Sequence, residues 1–404
     1  MPNNSNPHLT PSTNLKPSQT HAKTHLGALI MAWMFLFGLI GAALVGPNRL
    51  SIQRTFDLSH ETFGAAFALI QIVCSVTVLA VATRLKRINN LNALIISLLI
   101  QIAGFVTLYL APNAYILALG WTCVTLGIVI GSVCNNISAD LWTDNPARGV
   151  TLLHGFNGIG KVAGPLIAAY CLIIGWRLSF LAVAAITLLI LLAFYHFKTR
   201  YSAPPTTEQT FQNQIFKSPT YWLCILPFGL IAGGDVAFAT LVPLYYETVH
   251  NYTAQNASLL LTFHLFGLVV GRFIFAYLSG SLSNNTIIGI CLIFGLTIFL
   301  AIQNASFTLH LAGLFGIGVL YSSTWATFYA QAARFIPPHA SHLLDFGTAL
   351  GNALGIAICV YFSSVIAEIS LDWAMIFCVG VLWLFGLVYY LSPLSHKSAM
   401  PIKL

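Results

Sequence analysis

Apolar stretches long enough to cross a lipid bilayer recur along nearly the whole chain, separated by short polar breaks. A helix of about 20 apolar residues spans roughly 30 Å of hydrocarbon. Twelve stretches meet this requirement, at residues 26–46, 63–83, 92–110, 115–136, 150–172, 178–195, 222–246, 257–279, 287–302, 309–328, 346–366 and 375–391. Lipid offers no partner to backbone N–H and C=O groups, and the stretches lack the two-residue alternation of barrel strands. We therefore predict an all-α membrane protein.

The composition agrees with this fold class and excludes soluble ones. Charged residues make up 7% of the chain and hydrophobic residues 57%, whereas soluble domains average about 25% and 45–50%. The sequence leaves no soluble domain to hold a nucleophile and a base, so an enzyme is not expected. Eight cysteines lie within or at the edges of apolar stretches, without a Cys-x-x-Cys pair. We therefore expect neither a metal site nor a cofactor.

The distribution of Lys and Arg predicts the orientation in the membrane. If the N-terminus is cytoplasmic, cytoplasmic segments hold twelve of the 17 Lys and Arg residues, while Arg49, Arg54 and Arg177 lie on the opposite face. The remaining two, Lys161 and Arg272, fall inside apolar stretches. Such a bias predicts that both termini are cytoplasmic, in a bacterial inner membrane. The net charge of +7 then reflects topology and anionic lipid, so a nucleic-acid partner is not expected.

The longest polar interruption within the chain, at residues 197–220, divides the stretches into two sets of six. It contains Pro204, Pro205 and several polar residues, which is typical of a flexible linker. We predict a disordered cytoplasmic tail over 1–25, a six-helix bundle over 26–196, a cytoplasmic linker over 197–220, a second six-helix bundle over 221–391 and a cytoplasmic tail over 392–404. A flexible linker would allow the bundles to rock against each other.

The two halves also repeat one sequence pattern. The fifth stretch carries a pattern that aligns without a gap with the eleventh: Leu152, Leu153, His154, Asn157, Gly160, Lys161 and Gly164 against Leu343, Leu344, Asp345, Thr348, Gly351, Asn352 and Gly355. Shared glycines allow helices to approach closely, while the differing polar residues give each half its own chemistry. Chance similarity between two glycine-rich membrane helices is the alternative explanation.

Asp235 lies near the middle of the seventh stretch, directly after Gly233 and Gly234. A carboxylate at the centre of a membrane helix costs about 2.5–3.5 kcal/mol, so it persists where it faces a cavity, meets a partner or binds a proton. We predict that Asp235 couples transport to protons; a structural pair with a basic residue is the alternative. The two glycines predict either a locally loosened helix or close helix packing.

Three local patterns resemble the major facilitator superfamily. They are Arg84-Leu85-Lys86-Arg87 after the second stretch, Gly271-Arg272 followed by Ala276-Tyr277-Leu278-Ser279 on the eighth, and Trp176-Arg177-x-x-Phe180 opening the sixth. The resemblance covers residues 26–391. It implies twelve transmembrane helices in two pseudo-symmetric six-helix bundles, transport by alternating access, and a central cavity lined by the first, fourth, seventh and tenth spans.

Within that superfamily, the fifth stretch resembles two kinds of carrier. His154-Gly155-Phe156-Asn157-Gly158-Ile159-Gly160 with Gly164-Pro165 is similar to the fifth span of fucose-permease-like sugar carriers. The same stretch partly matches the Gly-x-x-x-Gly-Pro motif of drug antiporters. Cys134 stands where the sugar-type carriers often have an acid.

Polar residues on the implied cavity helices and on the fifth and eleventh spans are the candidate substrate contacts. Lys161 shares one helix face with His154 and Asn157. It would hold an anionic group or pair with Asp235 in one state, and a fixed salt bridge is the alternative. The full set of expected contacts is Asn135, Asn136, Asn157, Lys161, Tyr321, Thr324, Trp325 and Asn352. Tyr321 and Trp325 could stack on a sugar or aromatic ring; packing is the alternative.

Charged residues near the cytoplasmic ends of the stretches predict a gate of state-dependent ion pairs. These candidates are Arg84, Asp140, Asp144, Arg148, Arg272 and Asp345. Arg272 is expected to anchor the gate between the halves, with Asp345 as a possible partner.

Together these features predict a monomeric secondary transporter that moves a small polar solute, either a sugar or an organic anion or zwitterion, with protons or another cation as the coupling ion. One alternative is a proton-driven efflux pump for amphipathic compounds. The other is an uncoupled facilitator or a transporter-like receptor.

Overall fold

The chain folds almost entirely into helices. The computed structural model describes residues 17–85, 90–131, 137, 141, 146–197, 217–278, 281–336 and 341–391. Within these ranges lie thirteen helices: α1 (Pro17–Phe56), α2 (His60–Leu85), α3 (Asn90–Leu110), α4 (Ala114–Gly131), α5 (Pro146–Leu172), α6 (Arg177–Phe197), α7 (Pro219–Thr248), α8 (Ala254–Leu278), α9 (Asn284–Ala301), α10 (Phe307–Tyr321), α11 (Thr324–Ala332), α12 (Ser341–Ile369) and α13 (Leu371–Leu391).

Ten of the described segments are long and apolar enough to cross a membrane, with α10 and α11 counted as one. The apolar helix α9 is shorter, and α5 carries the polar stripe that includes Lys161. With these two, the described helices make up the predicted set of twelve. The all-α fold class and the recurring membrane-length helices are therefore confirmed.

The first helix is longer than its apolar stretch and begins at Pro17, inside the segment 1–25 predicted to be disordered. Gln19, Ala22 and Lys23 are compatible with a helix, so the helix extends beyond the apolar stretch, and the extent of a disordered tail stays a prediction. The backbone leaves helical geometry at Gly41, where φ is −43° and ψ is −138°. The linker and tail predictions over 198–216 and 392–404 lie outside the described residues.

The tenth span is not one helix but two, broken at Ser322 and Ser323. The Ser322 hydroxyl donates to the Val319 carbonyl at 2.7 Å, and the Thr324 hydroxyl donates to the Tyr321 carbonyl at 2.7 Å. Side chains that bond to nearby backbone carbonyls in this way compete with regular helix bonds and bend a helix.

The glycines of the sequence repeat bring matching helices together in each half. In the N-terminal half, a Cβ on Gly160 of α5 would collide with the Phe35 carbonyl of α1. In the C-terminal half, Gly229 of α7 lies against Gly351 of α12, where an added Cβ would approach the carbonyl oxygen to 2.8 Å. This shared contact favours a true repeat over chance similarity.

Among the described helices, the two halves meet mainly along three pairs, which position the site. α2 packs on α12, α5 packs on α8, and α1 packs on α7. The far end of the bundle is the end at which α1 ends and α2 begins. The near end is the opposite end. The site described next lies between these ends, where α5 faces α7 and α8.

Candidate functional site

Asp235 on α7 is approached by two basic side chains from different helices. Its Oδ2 lies 3.7 Å from Nζ of Lys161 on α5, and its Oδ1 lies 3.8 Å from Nε2 of His264 on α8. α5 belongs to the N-terminal half, while α7 and α8 belong to the C-terminal half. The structure therefore joins an anion and a cation across the interface between the halves, at mid-depth.

The Asp235 and Lys161 side chains are not sealed from their surroundings. They keep 26% and 31% of their surface exposed, respectively, although the neighbouring Ala237 and Phe238 are buried. Both separations exceed the 3.2 Å that a good N–H···O hydrogen bond allows. The arrangement is a loose ion pair that can exchange partners without dismantling a hydrogen-bond network.

The glycines beside Asp235 serve close packing. α7 runs through Gly233 and Gly234 without a break. A Cβ on Gly233 would collide with the Gly355 carbonyl and lie 2.6 Å from Sγ of Cys359, and one on Gly234 would lie 3.0 Å from Leu382. Of the two predicted roles, the loosened helix is therefore wrong, because α12 and α13 occupy the space on this face.

His264 is a member of the site that the sequence analysis does not single out. Its side chain is fully buried and its ring packs edge-on against Phe238, with the centroids 5.0 Å apart. Neither ring nitrogen has a hydrogen-bond partner among the described residues. A signal was present in the sequence, since a histidine within an apolar stretch is costly and His264 shares a helix face with Arg272.

Arg272 crosses between the halves closer to the near end. Its Nη1 donates to the backbone carbonyl of His154 on α5 at 3.2 Å. One turn further along α5, a Cβ on Gly158 would lie 2.8 Å from Val269 of α8. These contacts suit the predicted gating role of Arg272, which stays a prediction.

The other predicted gating residues lie outside the part of the chain that can be described. Asp140 and Asp144 fall in undescribed positions, as do the side chains of Arg84, Arg148 and Asp345. Asn135 and Asn136, two of the predicted substrate contacts, fall there as well.

Among the remaining predicted substrate contacts, the two asparagines have different surroundings. Asn157 is buried, and its Nδ2 donates to the Met34 carbonyl of α1 at 3.5 Å, within its own half. Asn352 is half-buried, and its Oδ1 has no hydrogen-bond partner among the described residues. Asn352 therefore keeps an unbonded acceptor, although that oxygen is buried, whereas Asn157 is already engaged.

The break in the tenth span separates Tyr321 from Trp325. Tyr321 is 7% exposed and its ring lies against Gly295 of α9. Thr324 is buried with its hydroxyl bonded to the backbone.

Trp325 is half-buried within an aromatic cluster that the sequence analysis did not predict. Its ring stacks on Tyr329 at 5.2 Å and lies 5.4 Å from the ring of Phe228 on α7. We call these three residues the aromatic cluster. Phe228 is fully buried, so only the half-buried rings of Trp325 and Tyr329 could contact an apolar or aromatic part of a solute.

Within the described residues, no group of three or more His, Cys, Asp or Glu side chains is placed to hold a metal ion. The chemistry available at the site is therefore that of one carboxylate, one ammonium group and one imidazole. Such groups bind ions and protons by exchange.

Comparison with known proteins gives a consistent family. The family model for the Major Facilitator Superfamily matches residues 26–344. Two Helicobacter pylori proteins named "Putative glucose/galactose transporter" are also similar to the chain. The protein from strain J99 is 23% identical over 192 residues, or 42% of this chain and 47% of the relative. The protein from strain 26695 is 22% identical over 157 residues, or 34% of this chain and 39% of the relative. The chain thus spans less than half the length of these curated relatives.

Solved structures with the same fold cover nearly the whole chain. A bacterial homologue of the human lysosomal transporter Spinster, in an inward-facing and unoccupied conformation, has a TM-score of 0.71 at 18% identity and covers 93% of this chain and 97% of its own. A bacterial homologue of the iron transporter ferroportin, in an inward-facing state, has a TM-score of 0.69 at 13% identity and covers 95% and 100%. At these identities the likeness shows the fold.

Proposed function

Because the chain belongs to the major facilitator superfamily, we propose that it moves a small polar solute by alternating access, with protons as the coupling ion. The chain is a multi-pass integral membrane protein and a transporter rather than an enzyme. The observation that carries the coupling proposal is the loose contact of Asp235 with Lys161 and His264 at the interface between the halves.

The proposed coupling is an exchange of partners at Lys161. When the solute presents an anionic or strongly polar oxygen to the Lys161 ammonium group, Asp235 loses its counter-ion. An uncompensated carboxylate at this depth is costly, so Asp235 takes up a proton. The neutral carboxyl group no longer holds the halves together through Lys161, and the loaded protein rocks to its other state. His264 supplies a second basic nitrogen 3.8 Å from the same carboxylate.

Two solute classes are supported by different observations. Lys161 favours an organic anion or zwitterion, because an ammonium group binds carboxylates and phosphates as a point charge. The glycine-rich fifth span and the names of the Helicobacter pylori relatives favour a sugar. A sugar would stack on the half-buried rings of Trp325 and Tyr329.

A proton-driven efflux pump for amphipathic compounds is the second candidate function. The aromatic cluster favours it, since flat ring surfaces bind apolar parts of many different molecules. An uncoupled facilitator or a transporter-like receptor is a third possibility, which the costly carboxylate at mid-depth disfavours. Resistance to toxic compounds on expression, as opposed to growth on a nutrient, separates export from import.

The remaining parts of the proposal concern orientation and gating. The bias of Lys and Arg supports cytoplasmic termini in a bacterial inner membrane, and we expect a monomer with boundaries between its bundles at residues 196 and 221. The near end would then face the cytoplasm. We assign the cytoplasmic gate to Arg84, Asp140, Asp144, Arg148, Arg272 and Asp345.

The deciding experiment compares the wild-type chain with Asp235→Asn in proteoliposomes. A thermal-shift screen first tests sugars, amino acids, carboxylates and nucleosides on the wild type and on Lys161→Ala. It identifies a solute that stabilises the wild-type protein but not the Lys161→Ala variant. For that solute, we expect Asp235→Asn to abolish accumulation driven by a pH gradient while solute exchange continues. Proton-driven accumulation at the wild-type rate in Asp235→Asn would exclude the coupling role.

A further inference from the structure

We propose that the far ends of α1, α2 and α12 form a balanced gate, in which Glu368 and Gly64 favour closure and the buried Arg49 opposes it. The proposal rests on the proposed alternating access and assigns residues to the end of the molecule for which the sequence analysis gives none. Three sets of contacts support it.

Glu368 of α12 bonds to the N-terminus of α2 in the other half. Its Oε1 accepts the backbone N–H of Glu61 at 2.8 Å, and Glu61 is the second residue of α2. The first N–H groups of a helix lack partners within the helix and carry partial positive charge, so a carboxylate stabilises them. Glu368 therefore caps a helix across the interface, which is possible only while the far end is closed.

Gly64, one turn further along α2, is a point of close approach to α12. A Cβ on Gly64 would collide with the Cβ of Ser364, lie 2.5 Å from its Oγ and lie 3.2 Å from the Val360 carbonyl oxygen. Cβ atoms and backbone cannot yield as the end of a long side chain can. Closure at this level therefore requires glycine at position 64.

Arg49 of α1 lies beside this contact and is fully buried. Its Nη2 donates to Ser364 Oγ at 3.0 Å, and its guanidinium lies 4.9 Å from the ring centroid of Phe63. Its Nε and Nη1 have no hydrogen-bond partner among the described residues. No described carboxylate lies within salt-bridge distance of it, and Glu368 attracts the guanidinium only from beyond that distance, so its charge is only weakly compensated.

This arrangement makes Arg49 work against the closed state. One hydrogen bond and one ring contact replace the water that would bond all of its donors if the far end opened. Leaving donors of a charged group unbonded costs more than a typical hydrogen bond gains. A transporter gate must keep its two states close in free energy, since a ligand shifts an equilibrium only by its differential affinity. Opposing contributions from Arg49 and from Glu368 with Gly64 provide that balance.

The test measures the opening of the far end directly. Spin labels are attached at Thr62 and Ile369, which are exposed at the far ends of α2 and α12. The full chain, with its native cysteines replaced by alanine, is placed in lipid nanodiscs, and pulsed electron resonance gives the distribution of distances. Two populations, one short and one long, are expected for the parent protein.

The variants should shift these populations in opposite directions. Gly64→Ala should remove most of the short population, and Glu368→Ala should lower the ratio of short to long about fivefold, as expected for one net hydrogen bond of ~1 kcal/mol. Arg49→Met should raise the same ratio at least as much. The matched control is Gly380→Ala, where an added Cβ meets nothing within 4 Å. It should not move the populations.

Each outcome has a defined meaning. Two populations that do not respond to Gly64→Ala, Glu368→Ala or Arg49→Met would overturn the gate while leaving alternating access intact. A shift toward the long distance in Arg49→Met would also overturn it, because Arg49 would then be a closing contact. A single distance in the parent and in every variant would instead refute alternating access itself. If Arg49→Met does not fold, Arg49→Gln removes the same charge and replaces it in the test.

Discussion

The contact between Lys161 and Asp235 is best tested by a double-mutant cycle. Lys161→Met and Asp235→Asn each remove one charge with little change in shape, and the double variant removes both. Each single variant leaves the other charge without its counter-ion at mid-depth, which costs more than removing the pair. We therefore expect both single variants to melt at lower temperature than the wild type, and the double variant to recover part of that loss.

The size of the coupling follows from the geometry. Two unit charges 3.7 Å apart attract by about 4 kcal/mol at an effective dielectric constant of ~20. Both side chains are about a quarter to a third exposed, so solvent screens part of this attraction. We expect a coupling free energy of about 1–2 kcal/mol, which lies above the ~0.5 kcal/mol scatter of independent sites.

The assay is thermal unfolding in detergent, followed by a fluorescent thiol reagent and repeated in high salt. A matched control cycle pairs Lys161→Met with Glu247→Gln. This second variant removes a carboxylate of α7 that lies roughly 18 Å from Asp235 along the helix axis. The control cycle should be additive. Additivity in the Lys161 and Asp235 cycle as well would refute the reasoning, because the two charges would then be neighbours without a significant interaction.

Two further predictions concern packing and pH. Gly233→Ala should destabilise the protein by about 1–3 kcal/mol, because its Cβ would meet the Gly355 carbonyl. In the control Gly155→Ala, the added Cβ meets nothing within 4 Å, so the melting temperature should change little. Equal melting temperatures for the two variants would contradict the packing role of Gly233. Burial lowers the pKa of His250, which lies between α7 and α8, below its usual 6.5, so the unfolded chain binds more protons there and stability should fall as the pH drops below about 6.5. His250→Gln should flatten this dependence relative to the wild type in thermal unfolding from pH 5 to 8, and an unchanged slope would count against it.

The fold could be predicted from the sequence because membrane helices are specified locally. Each stretch of about 20 apolar residues must become a helix regardless of its neighbours, so twelve spans follow from hydropathy. The starting point of α1 could not be predicted in this way, since residues 17–25 are polar enough for solvent and still compatible with a helix. The split of the tenth span could not be predicted either, because it depends on which backbone carbonyls accept hydrogen bonds from the Ser322 and Thr324 hydroxyls.

The site was only partly predictable, because it depends on how helices are rotated against one another. The cost of charge in lipid singles out Asp235 and Lys161 one at a time. That they face each other depends on the rotation of α5 and α7, which the sequence does not specify. His264 was missed for the same reason, because its position beside Asp235 depends on how α8 packs on α7. Tyr321 shows the converse, since its ring turns toward α9 rather than toward Trp325.

The glycine contacts that join α1 to α5 and α7 to α12 have a mechanical consequence. Where backbones touch with no side chain between them, two helices cannot move closer together, and no side-chain rotamer can change to absorb a displacement. Each such pair should therefore move as one rigid unit. A displacement at the near end of such a pair would then be transmitted to its far end instead of being absorbed within the bundle.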